Sequence, residues 1–150
     1  MAEPTIGDMM KAYAEDATEM AAKQFGEALD FSEDSLKTVE KILDGISKTI
    51  PRGFAKVFKP KPSDEQIWQM SKIWGGYIGE VIRKKWGGEW TSETSAHPGA
   101  VITLRVLGAD IFPPAKVYKR LTNGYEDNIW MYYQVLKADF AKVGNGKATS

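Results

Sequence analysis

The chain has no cysteine, which excludes disulfides, thiolate metal sites and thiol nucleophiles together. Its single histidine, His97, leaves too few imidazoles for the usual zinc, copper or haem arrangements. No apolar run approaches the roughly 20 residues that span a bilayer, and Met1-Ala2-Glu3-Pro4 has no basic stretch leading into an apolar one. A membrane segment and a secretory signal are therefore not expected, and the cytoplasm is the expected compartment. Net charge is missing too: 20 basic residues balance 20 acidic ones, and the pI of about 6.6 argues against an overall binder of polyanions. No Gly-x-Gly-x-x-Gly opens a helix after a strand, so a dinucleotide fold is unsupported. Gly144-Asn145-Gly146-Lys147-Ala148-Thr149 has the composition of a phosphate-binding loop, but neither the glycine spacing nor a following helix.

What is present fits one domain. A chain of 150 residues, 43% hydrophobic and 27% charged, buries a core without staples. Loose ends are expected at about 1–5 and 144–150. Ile6, Met10, Tyr13, Ala17, Met20 and Ala21 recur at helical spacing and predict a first helix within Ile6 to Leu29. Leu36, Val39, Leu43 and Ile46 predict a second from Glu33 to Ser47, with Asp30 or Ser32 as its cap. Pro51, Gly53, Pro60 and Pro62 punctuate a connection whose Phe54, Val57 and Phe58 suggest a packed turn of helix. Ser63-Asp64-Glu65-Gln66 is a capping box, so a third helix starts there; Ile67, Met70, Trp74, Tyr77, Ile78 and Val81 mark it as central, and it ends at Trp86.

The period then changes from 3.6 to 2. Ile102, Leu104 and Val106 alternate with Thr103 and Arg105 as in a half-buried antiparallel strand, paired with Glu89-Trp90-Thr91 across a loop holding His97. Gly108-Ala109 turns the chain into a third strand, Asp110 to Phe112. Pro113-Pro114 open a short helix through Leu121. A last helix, Glu126 to Val143, buries Ile129, Tyr132 or Tyr133, Leu136 and Phe140. The fold class is α+β: long helices packed on a small antiparallel sheet of two or three strands.

Charge is uneven along the chain: residues 1–50 carry 5 basic and 11 acidic groups, and residues 51–150 carry 15 basic and 9 acidic groups. The plain explanation is that the two acidic helices lie against a more basic remainder. Three glycines inside the third helix, Gly75, Gly76 and Gly79, each cost about 1 kcal/mol relative to alanine. Gly75 and Gly79 share a face, which lets another helix or strand backbone lie close to it or, as the alternative, leaves room for a ligand against exposed backbone. Glu80 sits beside this face, where an ionised carboxylate needs a partner such as Arg83, Arg105 or Lys119, or else has a task. Trp86 and Trp90 bracket Gly87-Gly88-Glu89 and are placed to line one rim of a groove. Arg83-Lys84-Lys85-Trp86 is the basic cluster with an aromatic beside it, but a helix C-terminus attracts basic residues anyway, so nucleic acid is not the expected partner. His97 reads as a surface residue.

Gly75-x-Tyr77-x-Gly79-Glu80-x-x-Arg83, the following Gly87-Gly88-x-Trp90, and later Phe112-Pro113 with Lys116-Val117-Tyr118-Lys119-Arg120-Leu121 resemble a group of small uncharacterised bacterial proteins filed as a domain of unknown function. The likeness covers about Leu29 to Leu136. It implies a bacterial cytoplasmic protein and carries no activity to any residue here. Some of that group look like immunity or accessory proteins of bacterial competition systems, which act by binding a partner.

The reading is thus a non-enzymatic protein-binding module. The competing class is a small-molecule binder or metal-independent enzyme with its site around Tyr77 and Glu80. Candidate contact residues are Tyr77, Glu80, Arg83, Trp86, Trp90 and Lys119; no catalytic residue, metal ligand or cofactor is assigned. A protein partner is expected rather than nucleic acid or membrane, and oligomeric state is left open. Whether Glu80 lines an open pocket or is sealed in the core discriminates the two classes.

Overall fold

The computed structural model describes residues 4–50, 62–92 and 102–148, with side chains to Val143. Among these residues the chain runs α1 (Ile6–Phe25), α2 (Ser35–Thr49), α3 (Asp64–Trp86), β1 (Glu89–Ser92), β2 (Ile102–Val106), β3 (Ala109–Ile111), α4 (Pro113–Asn123), a single 3-10 turn (Tyr125–Asp127) and α5 (Ile129–Ala148). The strands form one antiparallel sheet in the order β1-β2-β3, so the fold is α+β. No described helix is long and apolar enough to cross a membrane. The expected packed turn at Phe54, Val57 and Phe58 and the loop holding His97 lie outside the described residues.

Local chemistry accounts for the helix ends. Thr5 Oγ1 accepts the Asp8 N–H while Asp8 accepts the Thr5 N–H, and α1 stops at Gly26 in the left-handed region (φ 66°), short of Leu29. Ahead of α2, Ser32 Oγ takes the Ser35 N–H at the helix start, whereas Asp30 takes the Ser32 N–H within the preceding turn; the N-cap position falls on Asp34, whose side chain makes no cap bond, and the helix begins at Ser35. The Ser63–Gln66 capping box opens α3 as expected. α5 starts at Ile129 rather than Glu126, because Tyr125–Asp127 form the tighter turn and Asn128 caps the helix through the Met131 N–H. Its helical hydrogen bonding continues past the expected end at Val143 to Ala148.

β2 pairs Trp90 with Leu104 on one side and Leu104 with Ile111 on the other. The β2–β3 turn is Leu107-Gly108, with φ 51° and 81°, one residue before the expected Gly108-Ala109. A two-residue hairpin loop matching strand twist wants positive φ at both positions, and Leu107 accepts the strain. β3 therefore begins at Ala109, and Phe112 becomes the residue before α4. Thr103, expected to face water with Arg105, is buried in the middle strand.

α3 is the central helix. Trp74, Tyr77, Ile78 and Ile82 are fully enclosed, and Leu36, Leu43, Leu104, Val117, Leu121, Ile129 and Tyr133 complete the core. Its glycines are spacings for three different neighbours. A Cβ at Gly75 would lie 2.5 Å from the Pro114 Cα, and one at Gly76 would lie 2.9 Å from the Met10 carbonyl of α1. The backbone contact expected at Gly79 is instead an indole: a Cβ there would run into the Trp90 ring. The acidic first half does meet basic groups of the remainder at α2, where Glu40 and Asp44 pair with Arg120, and just before it, where Glu33 pairs with Lys85 and Lys137.

Candidate functional site

The residues singled out by sequence divide into one assembled group, Glu80, Arg83 and Trp90, and three that lie apart from it. Glu80 is only 2% exposed. Its Oε2 accepts from Arg83 Nε at 2.7 Å and from the Trp90 indole N–H at 3.0 Å, and its Oε1 accepts from Arg83 Nη2 at 3.1 Å. Gly79 produces this arrangement: with no Cβ there, the Trp90 ring slides over α3 far enough to reach the carboxylate one residue on. Burial alone would raise the Glu80 carboxyl; Arg83 and the indole outweigh it and hold the group below its ordinary value. Glu80 is therefore almost enclosed and accepts three hydrogen bonds. Glu80 nevertheless forms part of the wall of a cleft of about 290 Å³, with Lys11, Phe31, Arg83 and Lys84, and a second cleft of about 360 Å³ is lined by Thr5, Lys11, Arg83, Glu89 and Trp90.

Tyr77 points elsewhere. Its oxygen accepts the Phe31 N–H at 2.8 Å and lies 2.7 Å from Ser35 Oγ, which itself donates to the Ser32 carbonyl at 2.6 Å. With one proton per hydroxyl, the chain runs Phe31 N–H to Tyr77, Tyr77 O–H to Ser35, Ser35 O–H to Ser32. Burial pushes the phenol up, further from ionisation. The hydroxyl pins a connection in which Phe31 holds the left-handed region (φ 63°), its ring 4.7 Å from that of Tyr77.

Trp86 does not share a rim with Trp90: it packs against Tyr133 and Phe140 of α5, at 5.8 Å and 5.0 Å between ring centres. Lys119 is exposed on α4 and lines a third cleft of about 280 Å³, with Ile111, Phe112, Tyr132 and Leu136. Among the described residues no group of His, Asp or Glu is placed to hold a metal ion.

Two polar clusters escaped sequence reasoning. Arg120, fully buried, donates twice to Glu40 at 2.8 Å and once to Asp44 at 2.7 Å, while Glu40 also accepts the Ile129 N–H. The signal was present: Glu40 and Asp44 are four apart on α2, beside Val39 and Leu43. In the other cluster Glu33 accepts from Tyr133 and meets Lys85 at 2.7 Å and Lys137 at 3.2 Å. Hydrogen bonds from Lys85, Tyr133 and Lys137 pull the Glu33 carboxyl from 4.5 to about 2. A carboxyl depressed by folding contributes stability above its unfolded value and loses it as pH falls through the folded one. Stability is thus expected to drop between about pH 4.5 and pH 2. Glu33→Gln should flatten that part of a denaturation-midpoint profile against pH; an unchanged slope would show that Glu33 is not what titrates.

The sequence pattern assigns no role to the outer side of α5, where Met131 is 58% and Val135 61% exposed, and Phe112 across the third cleft is 42% exposed. Ile129, Trp130, Met131, Tyr132, Tyr133, Val135 and Leu136 surround the first two turns of this helix with apolar surface. Among the described residues, α2, α4 and Trp86 pack against one side of it. Comparison of the chain with family models, with curated proteins and with solved structures finds no match.

Proposed function

We propose that this chain is a non-enzymatic protein-binding module, and that its contact surface is the outward side of α5 with the adjoining Phe112 cleft. The observation that carries this reading is the exposure of Met131 and Val135 on the first two turns of α5, where Gln134 is the one polar residue between Ile129 and Leu136 and such a stretch is ordinarily enclosed. The polar side supports it as well. Of the two groups on which a catalytic reading would rest, Tyr77 gives its proton to Ser35, and Glu80 already accepts three hydrogen bonds from Arg83 and Trp90. A general acid or base needs a lone pair or proton free to meet substrate.

The test is photo-crosslinking in the source cells, with benzoylphenylalanine in place of Met131 or of Val135 and, as control, in place of the exposed Lys23 of α1. Protein adducts are expected at the two α5 positions and not at the control. Absence of adducts at both α5 positions overturns the reading.

A further inference from the structure

β3 is the outer strand of the sheet, and its end forms one wall of the Phe112 cleft. The two-residue Leu107-Gly108 turn makes Val106 and Ala109 a hydrogen-bonded pair, so Arg105 and Asp110 form the next, non-hydrogen-bonded pair. The N–H and C=O of Asp110 therefore point away from β2, to the open side of the strand. The Asp110 carboxylate is engaged elsewhere, by Arg105 at 2.8 Å and 3.3 Å. Pro113 and Pro114 follow and have no N–H, so the edge offers a single residue for pairing. Across the cleft stand Tyr132 and Leu136 of α5 and Lys116 and Lys119 of α4. Lys116 is paired with Asp127 at 2.9 Å, whereas Lys119 is exposed and forms no ion pair among the described residues, which leaves one uncompensated positive charge on the rim.

We propose that a partner protein docks here through a short extended segment, which pairs with the edge of β3 at Asp110, sets one apolar side chain into the Phe112 cleft and brings a carboxylate to Lys119. This rests on reading the α5 face with its cleft as a protein-binding surface, and it names the kind of segment that surface takes. An unpaired edge N–H and C=O are answered by a strand, since a helix has spent most of its own backbone groups internally. The cleft, at about 280 Å³, falls just short of the about 300–1,000 Å³ of small-molecule sites. It has room for one side chain, and Ile111, Phe112, Tyr132 and Leu136 make that side chain apolar. The uncompensated Lys119 beside it favours an acid. One pair of backbone bonds is a weak hold, so the two side chains decide which segment binds.

The probes are acetylated and amidated pentapeptides of β-forming residues, with leucine, phenylalanine or serine at the centre and glutamate or lysine beside it, titrated into the isotope-labelled chain and followed by its amide resonances. Leucine–glutamate and phenylalanine–glutamate peptides are expected to bind with Kd of about 0.1–1 mM. At about nine-tenths saturation they should slow hydrogen exchange of the Asp110 amide about tenfold. Serine at the centre should abolish binding, and lysine in place of glutamate should weaken it about tenfold. Lys119→Glu, at an exposed position where an unchanged melting curve checks the fold, should reverse the order of the glutamate and lysine peptides. Methylating the backbone nitrogens of a binding peptide one at a time should abolish binding at the position that meets the Asp110 carbonyl. Absence of binding by every apolar–acidic peptide at about 5 mM overturns the proposal, as does binding that leaves Asp110 exchange unchanged or keeps its charge preference in Lys119→Glu. Protein adducts from Met131 and Val135, with an Asp110 amide that no peptide affects, would leave the binding surface standing and the strand pairing refuted.

Discussion

Arg120→Met is expected to lower the stability of the fold by about 3–5 kcal/mol, the cost of removing one partner from a buried ion pair. Arg120 is enclosed and spends three hydrogen bonds on Glu40 and Asp44. The two acids then fare differently. Asp44 is one-third exposed and keeps Lys48 at 2.9 Å, so water and that lysine satisfy it. Glu40, with a side chain only 11% exposed, is left with the Ile129 N–H. It must stay charged in the core or take up a proton, and both are costly. The double variant Arg120→Met with Glu40→Gln should regain a large part of the loss, because the amide keeps an acceptor for Ile129 and carries no charge. Urea titration checks both; a loss below about 1 kcal/mol in the single variant would mean that water reaches Glu40 once the guanidinium is gone.

Trp74→Ala is expected to cost a similar about 3–5 kcal/mol, the range for removing a large enclosed aromatic. Trp74 has no exposed surface and meets the edge of the Phe25 ring at 6.3 Å between centres. Its indole N–H, however, is buried without an acceptor among the described residues. That separates two substitutions that area alone would rank together. Trp74→Phe keeps most of the ring and deletes the unmatched donor, whose burial costs about 1–3 kcal/mol. It should therefore lose well under half of what Trp74→Ala loses. Equal losses in denaturant titration would show that the volume of the second ring, not the unmatched N–H, governs the position.

What the sequence disclosed follows the range of the interaction concerned. The Ser63–Gln66 box, the Pro113-Pro114 helix start and the alternation of Ile102, Leu104 and Val106 depend on residues a few positions apart, and each appears where the pattern puts it. The boundaries missed by one to a few residues depend on backbone dihedrals: Gly26 ending α1, Leu107 accepting positive φ, and Asn128 rather than Glu126 opening α5. Glu80 was legible as a carboxylate in need of a partner, and Arg83 three residues on is that partner. Trp90 was not legible as its second donor, because the contact depends on how β1 lies across α3. Lys119 and Arg120 show how narrow the margin is. Adjacent residues on a helix point about 100° apart, so a small error in helix phase picks the exposed cation instead of the buried one. The α5 face was missed for the opposite reason: apolar residues at helical spacing look the same in sequence whether they meet the core or another molecule.

The three glycines of α3 have a bearing on how such sequences diverge. Each abuts a different element, Gly75 the start of α4, Gly76 the backbone of α1 and Gly79 the indole of β1. A larger residue at any one of them calls for its own compensating shift, and the shift that relieves one does nothing for the other two. Drift through this segment therefore has no single permissive step. Tyr77 and Glu80 lie between and beside the glycines, tied to Phe31 and to Trp90, and are bound by the same geometry. A search pattern written from these positions would gather chains by shared architecture, and an activity assigned to one of them would not thereby pass to the rest.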